Sequence, residues 1–300
     1  MNRSIPVFTY HHVNYHKGDL VTISPEEFEA QLRYLNSEGY TTLTADEFVG
    51  YLKRERKDLY KAVLLTFDDG YLDTWVYAFP ILKRYKMKAT LFLVTSWVTE
   101  GEKRPNLEDV WEGRLNERDL PFIPTHSQAV SDFRPQTSDH GLRTSDFGLQ
   151  TSEAGLWDKE IGVLTWEEVR EMETSGVIDV QSHSHFHKPL PQKGEEGWRE
   201  RLVEDLRTSK KLIEERLEKR CLYLCWPWGN YNNEVLQLAR DAGYEGFFTT
   251  ERGINTRATD IVAIKRIDVK KGNTSWFVSR LFIYSHSLLG HVYSGIRGKL

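Results

Sequence analysis

The apolar run Val63-Leu64-Leu65-Thr66-Phe67 stops at two adjacent carboxylates and a glycine, Asp68-Asp69-Gly70. Successive side chains of a strand point to opposite faces. The two acids therefore converge on one site only if the strand ends there and the backbone turns, which Gly70 permits. Paired acids at a strand's carboxyl end suit metal or acid–base chemistry, although an Asp ahead of Gly70-Tyr71-Leu72-Asp73 equally suits a helix cap. A second cluster, Ser182-His183-Ser184-His185-Phe186-His187, follows another strand-like segment. Two histidines and one carboxylate form the ligand set of a catalytic divalent ion, with positions left open for water and substrate. His183 and His187 are spaced to meet one ion across a single tight turn. Two further chemical stretches also end strands: His11-His12 after Ile5-Pro6-Val7-Phe8-Thr9-Tyr10, and Trp226-Pro227-Trp228-Gly229 after Leu222-Tyr223-Leu224-Cys225.

The elements that must carry these residues alternate. Ser24-Pro25-Glu26-Glu27 is a capped helix start, with Pro at the first helical position and Glu27 completing a capping box. Phe28, Leu32 and Leu35 continue its apolar stripe up to Gly39. A second helix begins at Thr44 and passes through Phe48 and Tyr51. The near-continuous apolar character of residues 62–67 is that of a parallel strand buried on both faces. Helical spacing of Trp75, Phe79, Leu82 and Tyr85 and a strand over 88–94 complete a βαβ unit, so the sheet is parallel. Later come a capped helix from Thr165 to Gly176, a strand over 177–181 and an amphipathic helix over 198–217. A helix over 234–242, strands at 246–250 and 261–267, and a terminal helix starting at Trp276 finish the chain. About seven strands alternating with helices predict a parallel barrel or wound sheet, with its active-site residues at the carboxyl ends.

Between about 101 and 160 this alternation breaks down. Residues 137–143, 144–150 and 151–157 are three consecutive seven-residue repeats, each with one steady aliphatic position beside a small residue. Without a second seam residue they do not form a coiled coil. The stretch reads as a flexible surface insertion into a single domain spanning 1–300.

Composition narrows the field. Of 300 residues, 39% are hydrophobic and 28% charged, as in an ordinary globular protein with a large core. The formal charge of −4 leaves no basic footprint for nucleic acid. Neither a secretory leader nor a membrane-length apolar run is seen, which predicts a cytoplasmic protein. Residues 276–293, with the basic end Arg297-Gly298-Lys299, could touch a membrane surface, but core packing accounts for them better. Cys221 and Cys225 read as reduced core thiols.

Thr66-Phe67-Asp68-Asp69-Gly70 resembles the first motif of the NodB-like polysaccharide deacetylases (carbohydrate esterase family 4), and His183-Ser184-His185-Phe186-His187 resembles their second. The resemblance covers the chain outside the insertion. It implies a distorted (β/α)7 barrel and metal-dependent removal of N- or O-acetyl groups from an amino-sugar polymer or glycolipid. By motif position Asp68 is the general base, while Asp69, His183 and His187 hold the ion, zinc by preference with nickel and cobalt also compatible. His185 falls at a variable position. Attack on the acetamide would give an oxyanion stabilised by the ion and by a backbone N–H near Trp228.

Two departures from the family pattern follow. Its third motif, Arg-x-Pro-x-Gly, is here Cys225-Trp226-Pro227-Trp228-Gly229, so the arginine that orients the base is absent. No late Leu-x-His supplies the general acid, and Ile264-Lys265-Arg266-Ile267-Asp268 occupies that region. Both departures, and Tyr10-His11-His12-Val13, resemble the subgroup acting on poly-β-1,6-N-acetylglucosamine. His11 is then the candidate acid and His291 its rival. Trp226, Trp228 and Tyr231 are candidates for stacking on a sugar ring. The competing readings are a sugar-binding protein that has lost turnover and a hydrolase of another amide.

Overall fold

The computed structural model describes residues 4–16, 21–56, 59–121, 123, 162–189, 195–270 and 273–297. The seven-residue repeats lie outside the described residues. The described residues form ten strands: β1 (Val7–Tyr10), β2 (His12–Val13), β3 (Thr22–Ile23), β4 (Thr41–Leu43), β5 (Ala62–Asp69), β6 (Ala89–Leu93), β7 (Ile178–Ser182), β8 (Tyr223–Cys225), β9 (Gly246–Phe248) and β10 (Ile267–Asp268). The helices are α1 (Pro25–Ser37), α2 (Ala45–Leu52), α3 (Phe79–Tyr85), α4 (Leu107–Trp111), α5 (Trp166–Thr174), α6 (Trp198–Leu217), α7 (Asn233–Asp241), α8 (Thr274–Ser285) and α9 (Ser287–Arg297).

The main sheet runs β10-β1-β5-β6-β7-β8-β9, with β4 also paired to β5, and every pairing in it is parallel. Helices cover its outer surface, as parallel strands buried on both faces require. The seven-strand path curls into a distorted (β/α)7 half-barrel. Its two edges meet through one short segment, in which Ile264 bridges to Phe248 of β9 and Ile267 pairs with Phe8 of β1. β5 is buried along its whole length, and of the residues from Ala62 through Phe67 all but Thr66 are apolar.

Local chemistry accounts for most helix starts. The side chains of Ser24, Thr44 and Thr165 accept the backbone N–H three residues on, and Glu47 and Glu168 return the bond at the last two. Three boundaries differ from the sequence expectation. The expected strand over 261–267 is only Ile267–Asp268, because the Asp260 side chain and carbonyl accept from Val262 N and Ala263 N and make a turn. The terminal helix is two, broken at His286, which takes an extended conformation (φ −109°, ψ 111°). The helix after the acid pair opens with a π-helical turn, Thr74–Ala78, before α3. Within the described part of the expected insertion, Asn106 and Asp109 form a capping box that starts α4.

Candidate active site

The acid pair ends β5 at the rim of the sheet. β5 runs one residue pair further than the apolar run, through Asp69, and the turn starts at Asp69 itself (φ 77°) and continues at Gly70 (φ 102°). A Cβ at Gly70 would lie 2.5 Å from Leu93 Cδ1, so only glycine fits there. This turn resolves the alternation problem, since both carboxylates now reach the same rim. Asp73, not Asp68 or Asp69, stands at the start of the following helix.

Asp68 is buried and held by an arginine. Arg266 donates from Nη1 to Oδ1 at 2.7 Å and from Nη2 to Oδ2 at 2.9 Å, while its Nε donates to the Thr249 carbonyl at 2.8 Å. The expectation that the base lacks its arginine is therefore overturned: the guanidinium comes from the segment that closes the sheet, between Ile264 and Ile267. Cys225, at the position where the family pattern has arginine, instead places its buried Sγ 3.8 Å from Asp68 Oδ2. Burial pushes the Asp68 carboxyl up, but Arg266 and then His183 outweigh it and hold it well below the usual range. Asp68 is ionised, and fully engaged by its arginine.

Asp69 faces the histidines. Its Oδ1 lies 3.5 Å from His183 Nε2 and 3.5 Å from His187 Nε2. Burial, reinforced by Asp68, raises its carboxyl to about 6. Burial lowers His183 to about 3 and His187 to about 4, so both imidazoles are neutral at ordinary pH. His183 Nδ1 bonds the Cys225 carbonyl at 2.8 Å, which leaves Nε2 as the lone-pair nitrogen aimed at Asp69. One ligand atom from each of these three residues lies within 4.8 Å of the others. Neutral imidazoles and a carboxylate converging at that spacing fit a divalent cation, for which ligand distances are roughly 2.0–2.2 Å. Asp68, His183 and Cys225 also cluster, but Arg266 already occupies Asp68.

The histidine turn is built differently from the acid pair. Ser184 (φ 68°) and His187 (φ 53°) are both left-handed. The Asp205 carboxylate on α6 accepts from His185 N at 3.1 Å and Phe186 N at 2.9 Å. Ser184 Oγ accepts from His187 N, and Ser182 Oγ from Ser184 N. His185 stays out of the ligand set, its Nδ1 2.9 Å from Thr95 Oγ1.

The remaining candidates separate. His11 follows the β1–β5 pair Tyr10↔Phe67, so it stands level with Asp68 and close to both acids. His291 is exposed on α9, where its Nδ1 meets the Ser287 carbonyl one turn back. Trp226 is 2% exposed and stacked on Phe247 and Tyr231, so it is core and does not present a face to a ligand. Trp228, 63% exposed with its ring centre 5.4 Å from that of His187, does. Tyr231 is half-buried against Trp226. Both cysteines are free and buried.

A parallel half-barrel carrying a carboxylate–histidine cluster and an arginine-held acid on one rim is the frame of a hydrolase. The polysaccharide deacetylase family model matches residues 55–247, and the chain belongs to that family. It is 27% identical over 272 residues to YxkH of Bacillus subtilis (strain 168), which carries the name of a polysaccharide deacetylase; the match covers 89% of this chain and 72% of the relative. It is 24% identical over 246 residues to the poly-beta-1,6-N-acetyl-D-glucosamine N-deacetylase of Staphylococcus aureus (strain MSSA476), covering 80% of this chain and 65% of that protein. Among solved structures, the Streptococcus pyogenes deacetylase PplD superposes with a TM-score of 0.66 at 22% identity, covering 94% of this chain and 99% of the other. IcaB from Ammonifex degensii gives 0.66 at 21% identity, covering 93% and 97%. Among the described residues no helix is long and apolar enough to cross a membrane.

Proposed function

We propose that the protein is a metal-dependent deacetylase that hydrolyses the N-acetyl groups of an amino-sugar polymer or glycolipid. The observation that carries this reading is the convergence of Asp69, His183 and His187 beside an ionised, arginine-held Asp68. The N-acetylglucosamine polymer named for the Staphylococcus aureus relative supports this substrate class.

Asp69, His183 and His187 would hold the divalent ion, zinc by preference with nickel or cobalt as alternatives, since imidazole and carboxylate suit all three. When bound, it supplies Lewis-acid polarisation and lowers the pKa of water toward about 7. Asp68 accepts the proton of the attacking water. Arg266 fixes the direction of its lone pairs and keeps it ionised. A backbone N–H near Trp228, a residue in the left-handed conformation (φ 61°), would stabilise the developing oxyanion. As the C–N bond breaks, His11 gives a proton to the leaving nitrogen, so the products are a free amine and acetate. Asp68 then loses its proton to solvent and His11 regains one. Trp228 offers a ring face to the sugar, with Tyr231, stacked on Trp226, as the second candidate.

Acetate release from N-acetylglucosamine oligomers, with metal-free protein and after adding Zn²⁺, Co²⁺ or Ni²⁺, tests this directly. Release restored by a divalent ion supports the reading. No release with any ion would leave only sugar binding, and ring opening of a cyclic amide without acetate would mark a different amide hydrolase.

A further inference from the structure

The segment that carries His11 is held in an unusual way. After Tyr10 the chain leaves the main sheet, and among the described residues β2 pairs only with β3, in a separate two-stranded sheet. Prominent among its ties back to the site is one carboxylate oxygen. Asp73 Oδ2 accepts from His12 Nδ1 at 2.9 Å, from Val13 N at 3.1 Å and from Asn14 Nδ2 at 2.6 Å. Three consecutive residues, beginning immediately after His11, thus converge on one atom. Asp73 lies four positions past Asp69, ahead of the π-helical turn Thr74–Ala78, and the His12 ring packs at 4.2 Å on Tyr71 between them.

This arrangement is costly as pure scaffolding. Asp73 is 0% exposed, with His12 and Asn14 nearly as deeply buried. Its second oxygen, Oδ1, is buried with no hydrogen-bond partner among the described residues. A buried carboxylate with one bare oxygen stabilises a fold less than apolar packing of the same volume. Its geometry does something packing does not: it locks the backbone on the far side of His11. On the near side, Tyr10 is held by its pairing with Phe67 and by its hydroxyl bond to Gln31 at 2.7 Å. Asp73 itself follows the turn that bears Asp68 and Asp69, so the anchor of the donor's segment and the base stand on one stretch of chain.

We infer that Asp73, through His12, Val13 and Asn14, is a positioning residue that fixes His11 opposite Asp68 as the proton donor. This rests on the reading of His11 given above. It does not touch substrate; it sets where the donor's nitrogen stands, and proton transfer to a leaving group is steeply sensitive to that placement.

A leaving-group comparison separates this role from a merely structural one. An amine must be protonated as it leaves, whereas the phenolate of 4-nitrophenyl acetate leaves unaided. Asp73→Asn, assayed as the zinc-loaded full chain, is expected to lower kcat on N-acetylglucosamine oligomers about 10–100-fold while changing aryl acetate turnover less than about threefold, as loss of general-acid placement predicts. His12→Phe, which keeps the ring against Tyr71 and removes the donor to Asp73, is expected to give the same split and stands in if Asp73→Asn does not fold. Equal losses on both substrates, or no loss on either, would overturn the inference. His11→Ala measured in parallel separates the two levels. If it shows the split and the other two variants do not, only the positioning role falls; if it retains amide turnover, the assignment of His11 falls and the inference with it.

Discussion

The two halves of the site solve the same placement problem by opposite means. The acid pair stands on β5, hydrogen-bonded to β1 on one side and β6 on the other, and Asp68, the proposed base, is fixed by a fully buried ion pair. The histidines stand on a turn after β7 with two left-handed residues, and the side chains of Asp205, Ser182 and Ser184 hold that turn in shape. Sheet register gives Asp68 its position, and the left-handed conformation, glycine aside, is confined to the one residue after it, Asp69 (φ 77°). Positive φ at a residue other than glycine is disfavoured, so the histidine turn persists only because its surroundings determine it. Changes at Asp68 should therefore act through chemistry or global stability, and changes to the histidine turn, like those at Asp69, through metal affinity.

The strongest test of that contrast is Asp68→Asn, which keeps shape and removes the base. It is expected to cost about 10²–10⁴-fold in kcat, with zinc binding by calorimetry nearly unchanged. Arg266→Met comes next. It strands a buried carboxylate, so the urea midpoint should fall by the equivalent of about 3–5 kcal/mol, and a variant as stable as wild type would mean the pair is not what anchors the base. On the other half, Asp205→Asn should weaken zinc binding about 10–100-fold, in the manner of outer-shell partners of metal ligands, with unfolding of the metal-free protein little altered. If both properties fall together, the turn is no more independent than the strand.

The pH dependence is a finer discriminator. With both imidazoles neutral above about 4 and the Asp69 carboxyl raised to about 6, Asp69 alone competes with the ion for a proton in the mildly acid range. Zinc affinity of the metal-free protein should be flat above pH 6 and fall about tenfold per unit below it, with one proton released per ion. A steeper, two-proton fall would instead assign ordinary histidines. The smallest effect belongs to Trp228→Ala: a rise of a few-fold in KM for oligomers with unchanged melting temperature, since its ring is exposed and supports nothing beneath it.

What could be read in the sequence was what depends on neighbours along the chain. Ser24, Thr44 and Thr165 announce their helices by spacing alone, and α6 runs Trp198–Leu217 as its amphipathic pattern requires. The acid pair and the His183/His187 spacing were legible for the same reason. Arg266 was not, because the bond that matters joins residues 198 positions apart. The one local sign was the pair of cations Lys265-Arg266 between Ile264 and Ile267, where a buried position tolerates charge only if it is paired. The strand expected over 261–267 failed because the Asp260 turn competes locally with β structure. Trp226 and Trp228, two residues apart and chemically alike, differ only in which side of the turn they occupy, and only the folded chain distinguishes them.

Arg266 also has a bearing on when the protein becomes competent during its synthesis. β1 is among the first elements to leave the ribosome, and the closing segment with its arginine comes out only after every other strand of the barrel except β10. Until that segment docks between β9 and β1, Asp68 has no guanidinium and the sheet has two open edges. Closure of the barrel is thus also the step that gives Asp68 its guanidinium, so on the proposed mechanism a nascent or C-terminally clipped chain would bring Asp69, His183 and His187 together and still lack an oriented base.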